Sequence, residues 1–143
     1  CLEWLERTVT PECSVLDYGC GSGILAIAAA RLGAGRVAGV DIDAQAVKAA
    51  RDNAERNAVT AVFADSAQPV SGEYDLVVAN ILSNPLRVLA PAICAHVRSG
   101  GHLALSGILR EQADEIIGIY ASWLPMRVAD VREDWVCLSG VKP

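Results

Sequence analysis

Short apolar runs alternate along this chain with stretches in which apolar residues return every three to four positions. The first pattern suits buried strands and the second amphipathic helices. Residues 15–18, 36–40, 60–64, 74–79 and 102–105 read as strands, the last opened by Gly100-Gly101. Between them, helices are predicted over 23–32, 43–57, about 85–97 and 111–123. Residues 1–5 already look helical. Ser22 and Asp43 are the expected N-caps, and Gly33 and Gly35 stop the first of the four helices. Pro85 suits a first turn, whereas Pro91 is expected to kink or split its helix. Residues 126–132 and 135–141 alternate around Glu133-Asp134, which predicts an antiparallel hairpin. Strand and helix in alternation give an α/β fold, a parallel sheet with helices on both faces.

Composition narrows the picture. The chain has 143 residues, 52% hydrophobic and 20% charged, which suits one folded domain and excludes disorder. A formal net charge of −5 argues against a broad face for nucleic-acid phosphates. No apolar run reaches the roughly 18 residues a membrane span requires, and no signal-peptide pattern is present. The five cysteines are odd in number and show no C-x-x-C spacing, so neither a metal site nor a disulfide framework is expected. A reducing, cytoplasmic setting follows. The chain opens on Cys1 without methionine and is read as a piece of a longer protein.

The chemistry concentrates in Val15-Leu16-Asp17-Tyr18-Gly19-Cys20-Gly21-Ser22-Gly23, with Asp41 following 22 positions after Gly19. A strand, a glycine turn, a helix, a second strand and an acid at its end form the layout of a nucleotide-type cofactor site. The glycines run G-x-G-x-G, with Ile24 where a dinucleotide site would place its third glycine. Asp17 also precedes the turn. A pyrophosphate favours a helix N-terminus free of negative charge, so Asp17 opposes it and suits a cationic ligand. That combination points to S-adenosylmethionine.

The predicted strands end at, or just before, Tyr18-Gly19, Asp41, Asp65, Asn80 and Ser106. In open α/β sheets the ligand crevice lies outside the carboxyl ends of the strands. Polar residues there are what a binding edge needs, although polar residues also simply cap strands entering loops.

The block from Asp17 to Ala29, then Gly39-Val40-Asp41-Ile42-Asp43, Ala79-Asn80-Ile81-Leu82 with Pro85-Leu86, and Leu105-Ser106-Gly107-Ile108-Leu109 together resemble the class I S-adenosylmethionine-dependent methyltransferases. Within that class they are similar to the catalytic domain of the PrmA family, bacterial enzymes that methylate a large-subunit ribosomal protein. The first block marks only the superfamily; the Asn-Ile-Leu and Ser-Gly-Ile-Leu blocks are the specific ones. The resemblance implies a Rossmann-like, seven-stranded, mostly parallel sheet with an antiparallel last strand. It implies that residues 1–143 are a catalytic domain whose N-terminal substrate-recognition partner is absent from the chain. The implied activity is protein N-methylation, on lysine or N-terminal amines, by a monomer that contacts neither nucleic acid nor membrane. It also implies roles. Gly19, Gly21 and Gly23 let the backbone approach the cofactor. Asp17 sits near its methionine part, Asp41 accepts both ribose hydroxyls with Ile42 beside it, and Asp65 and Ser66 lie near the adenine. Asn80 stands at the methyl-transfer centre between cofactor and acceptor amine.

Other readings stay open on the residues alone. Asparagine at a fourth strand's end also occurs as Asn-Pro-Pro-Tyr in adenine and glutamine methyltransferases. Here Ile81-Leu82-Ser83 follows, and the aromatic that would stack a flipped base is missing. A nucleic-acid or small-molecule amine, an NAD-type oxidoreductase and a non-catalytic binding module are the alternatives. His96, His102, Trp4, Trp123 and Trp135 read as packing or surface groups, Cys20 as a small filler, and Tyr18 as either core or cofactor wall.

Overall fold

The computed structural model describes residues 1–65 and 70–143. Its elements in chain order are α1 (Leu2–Thr8), β1 (Ser14–Tyr18), α2 (Ile24–Arg31), β2 (Arg36–Val40), α3 (Ala44–Arg56), β3 (Val62–Ala64), β4 (Tyr74–Asn80), α4 (Ser83–Ala95), β5 (Val97–Leu109), α5 (Ala113–Tyr120), β6 (Met126–Arg132) and β7 (Trp135–Val141). The strands form a seven-stranded sheet in the order β3-β2-β1-β4-β5-β7-β6. The neighbours from β3 to β5 pair in parallel, and β7 runs antiparallel to both β5 and β6. This is the sheet the resemblance implied.

The centre of the sheet is buried on both faces, as its run of Val, Leu and Ala requires. One core cluster gathers Leu16, Val77, Leu103 and Leu105 with Leu86 and Ile93 of α4 and Ile116 and Tyr120 of α5. The other gathers Val15, Val37, Val78 and Ala104 with Trp4 and Leu5 of α1, Ala26 of α2 and Val47 and Ala50 of α3. Successive strand residues point to opposite faces, so β1 gives Leu16 to one core and Val15 to the other.

Several expectations are corrected. Ser22 does not cap α2; Gly23 does, in the left-handed region at φ 88°, without a side-chain bond. Asp43 caps α3 as expected, accepting the Gln45 N–H at 2.9 Å. Helix α4 starts at Ser83, so Pro85 falls among the first-turn residues whose N–H groups lack helical partners anyway. Pro91 neither splits nor ends it. Strand β3 is shorter than expected, beginning at Val62. Strand β5 is far longer, 13 residues rather than four. It has strand partners on both sides, and where the ladders pass over Gly100 and Gly101 their backbone bonds instead to Lys142, just beyond β7, at 2.7 and 2.9 Å. A 3₁₀ turn over Arg110–Gln112 precedes α5, where one helix from Glu111 was expected.

Candidate functional site

The strand order reverses direction at β1 and β4, which are neighbours. Open α/β sheets bind ligands at such a switch. A cleft of about 850 Å³ lies there. Strand β1 supplies Asp17, the glycine turn after it supplies Gly19, Gly21 and Ser22, and β4 and its exit supply Asn80, Ile81 and Leu82. Ser106 and Gly107 of β5 close one side. The first turns of α1 and the β6–β7 hairpin form the opposite wall, joined there by an ion pair between Glu3 and Arg132.

The glycine turn is fixed by backbone bonds. The N–H groups of Gly19 and Cys20 both donate to the Val40 carbonyl, at 2.8 and 2.9 Å. Gly19 has φ 81°, and a Cβ there would lie 2.6 Å from Ile81 Cγ2. Only glycine fits both the conformation and the space. Gly21, at φ 53°, donates its N–H to Asp41 Oδ2 at 2.8 Å. The other oxygen of Asp41 accepts the Asp43 N–H at 3.0 Å. Asp41 therefore ties the end of β2 to the turn. Asn53 of α3 adds a bond from its side-chain amide to the Ser22 carbonyl at 3.0 Å.

Asp17 is 1% exposed, and its Oδ2 accepts the N–H of Ala26 in the first turn of α2 at 3.2 Å. Burial, opposed in part by that bond and assisted by the nearby Asp41 charge, pushes its carboxyl up to about 7. The same surroundings push the Cys20 thiol up to about 12, burial first and then the charges of Asp17 and Asp41. Cys20 is thereby kept as a neutral thiol, not a nucleophile.

Across the cleft, β4 ends at Asn80 beside β5, with Asn80 opposite Ser106. The Ser106 hydroxyl donates to Asn80 Oδ1 at 2.9 Å, and Cys1 Sγ lies 3.1 Å from the same hydroxyl. Asn80 is exposed to the cleft and can meet a ligand.

The sequence candidates thus divide. Asp17, Gly19, Gly21 and Asn80 line the cleft together. Gly23 does not; it packs against α3, where an added Cβ would sit 3.1 Å from Ala50 Cβ. Asp41 reaches the cleft through Gly21, while Ile42, 88% exposed, and Asp65 lie outside its lining. Ser66 lies outside the described residues. Tyr18 packs on the α4 side of the sheet and against the His96 ring, not on the cleft. His96 caps α4 and its Nδ1 bonds with the Gly72 carbonyl at 2.8 Å. His102 lies in a smaller cleft with Asp75 and Arg98. Trp4 packs in the core as expected and Trp135 is half exposed, and both also line the main cleft, a role the sequence reading did not give them. Their distance along the chain hid this, since only the folded sheet brings α1 and the hairpin together.

Among the described residues no helix is long and apolar enough to cross a membrane. The model of the ribosomal protein L11 methyltransferase (PrmA) family matches residues 1–143. The chain is 83% identical over its full length to a ribosomal protein L11 methyltransferase of Dechloromonas aromatica, of which it covers 48%. It spans about half the length of the curated relatives it matches. A solved ribosomal protein L11 methylase from Lactobacillus delbrueckii superposes with a TM-score of 0.89 at 33% identity, over 96% of this chain and 74% of that one. A T. thermophilus 16S rRNA methyltransferase solved with AdoMet and guanosine superposes at 0.77 and 26% identity, over 99% of this chain and 42% of that one.

Proposed function

The chain belongs to the ribosomal protein L11 methyltransferase (PrmA) family, and from that premise we propose that it binds S-adenosylmethionine and directs methyl transfer to amine nitrogens of that ribosomal protein. In this reading residues 1–143 are the catalytic domain. The grip on the protein acceptor falls to the part of the relatives that the chain does not span, and the work is cytoplasmic, where ribosomal proteins are made. The observation that carries the reading is the single cleft holding Asp17, the glycine turn and Asn80.

The residues fit this cofactor. Asp17 is a buried acid whose ionisation its surroundings oppose, and a cationic ligand beside it reverses that balance. The two oxygens of Asp41 each accept one backbone N–H and keep a lone pair for a ribose hydroxyl. Gly19 and Gly21 offer bare backbone to the ligand, Gly23 sets the start of α2 behind them, and Ile42 and Asp65, which follow β2 and β3, are assigned to the adenine side. When bound, the cofactor supplies an electrophilic methyl on a sulfonium whose departure leaves a neutral thioether. No side chain therefore has to protonate a leaving atom.

The chain's work is alignment and the presentation of a neutral amine. A free lysine has a pKa near 10.4, so about one in a thousand is neutral at pH 7.4, a cost of roughly 4 kcal/mol. Asn80 suits that task. Its carbonyl can accept an amine N–H and leave the nitrogen lone pair free, whereas a carboxylate would hold the ammonium form.

Calorimetric titration with S-adenosylmethionine and S-adenosylhomocysteine tests the cofactor reading. Asp41→Ala should weaken binding by roughly 1.5–3 kcal/mol, the worth of charge-assisted bonds. Affinity within a factor of two of the parent would remove Asp41 from the site.

A further inference from the structure

We infer that Ser106 is a positioning residue that sets which end of the Asn80 amide faces the acceptor amine. The inference rests on the reading of Asn80 given above. An asparagine amide is nearly symmetric in shape, and its two orientations differ in chemistry. With the carbonyl toward the amine, an amine N–H is bound and the nitrogen lone pair stays free. With the NH₂ toward it, a donor hydrogen points at that lone pair and ties up the electrons that must form the new bond. Asn80 is exposed on the cleft and terminates β4, so its side chain needs a partner to hold one orientation.

Ser106 is that partner. Its hydroxyl donates to Asn80 Oδ1 at 2.9 Å, which fixes the oxygen and leaves it a second lone pair for the acceptor. Backbone geometry delivers the hydroxyl there. The pairing of β5 with β7 shifts register between Leu105 and Ile108, and Gly107 adopts φ 83°. Irregularities of this kind re-aim side chains within a strand. The β4–β5 pairing stays in register through Asn80 and Ser106, and just beyond it the strands run so close that a Cβ on Gly107 would lie 2.4 Å from the Ile81 carbonyl oxygen and 3.3 Å from Asn80 Oδ1. Cys1 Sγ, 3.1 Å from Ser106 Oγ, completes a chain of three polar groups that ends on the Asn80 amide.

The test uses the full-length protein, with the purified ribosomal protein as acceptor. Ser106→Ala should lower kcat by about ten- to a hundredfold through lost orientation, while the KM for acceptor and the Kd for cofactor stay within about twofold. Ser106→Thr keeps the hydroxyl and should recover most of kcat, which a mere packing role would not predict. In an Asn80→Ala background, Ser106→Ala should add no further loss. An unchanged kcat in Ser106→Ala, with a large loss in Asn80→Ala, overturns the positioning role and leaves the Asn80 reading standing. An unchanged kcat in Asn80→Ala overturns both, and the two failures are thereby told apart.

Discussion

The carboxylates of Asp17 and Asp41 lie near enough that the charge of Asp41 helps Asp17 keep its proton, an effect added to the larger one of burial. The consequence for pH has a definite sign. The unfolded carboxyl ionises near its ordinary value, 3.8, whereas the folded one ionises at about 7. Between those values the folded state binds more protons, so this group's contribution to stability falls as pH rises through that window. Asp17→Asn cannot ionise. Its melting temperature relative to the parent should therefore be higher at pH 8 than at pH 4.5, as differential scanning calorimetry would read.

The same acid links cofactor binding to pH. A cationic ligand favours the ionised form, so binding should expel a proton near neutrality and tighten from pH 6 to pH 8. Titration in buffers of different ionisation enthalpy should detect the released proton in the parent and none in Asp17→Asn. Equal proton release in both would place the linkage elsewhere.

Two glycines of the turn should respond differently to alanine. At Gly19 the new methyl meets Ile81 Cγ2 at 2.6 Å in a left-handed backbone, while at Gly21 nothing lies within 4 Å. Left-handed backbone alone costs an alanine about 1–2 kcal/mol. Gly21→Ala should lose about that much in urea denaturation without ligand, and Gly19→Ala more, by the cost of displacing Ile81.

Asn80→Asp separates orientation from charge. A carboxylate should hold the acceptor as ammonium, and each unit by which it raises the amine pKa cuts the neutral fraction about tenfold at fixed pH. The rate–pH profile of the full-length variant should therefore move to higher pH. A profile parallel to the parent's would argue against contact between residue 80 and the amine.

Tyr120 tests the scaffold away from the cleft. Its fully buried hydroxyl donates to the Leu86 carbonyl at 2.9 Å and joins α5 to α4. Tyr120→Phe should cost about 1 kcal/mol of stability and leave cofactor affinity unchanged.

The sequence carried the parts of this site that are local. Strand β2 and both strands of the hairpin fall where the apolar pattern places them, and the glycine turn declares itself by residue type. Elements stabilised from both sides were harder to read. Gly100-Gly101 resembles a strand's beginning, yet β5 already pairs with β4 at Val97. The Ser106–Asn80 bond depends on the register of two strands 26 positions apart, which no local pattern encodes. Trp4 and Trp135 read as packing or surface groups, and their shared place on one cleft wall shows only once the sheet brings α1 and the hairpin together.

That wall has a consequence for folding. Glu3 and Arg132 meet from positions 129 apart, so one side of the cleft exists only when near-terminal segments of the 143 residues have both docked. A partly folded chain with its glycine turn formed still lacks the enclosure. Ligand should thus select the fully assembled state and stabilise it cooperatively, hairpin and α1 included, rather than protect one half of the sheet. In hydrogen exchange, protection gained on binding should reach amides of β7 as well as those around Gly21.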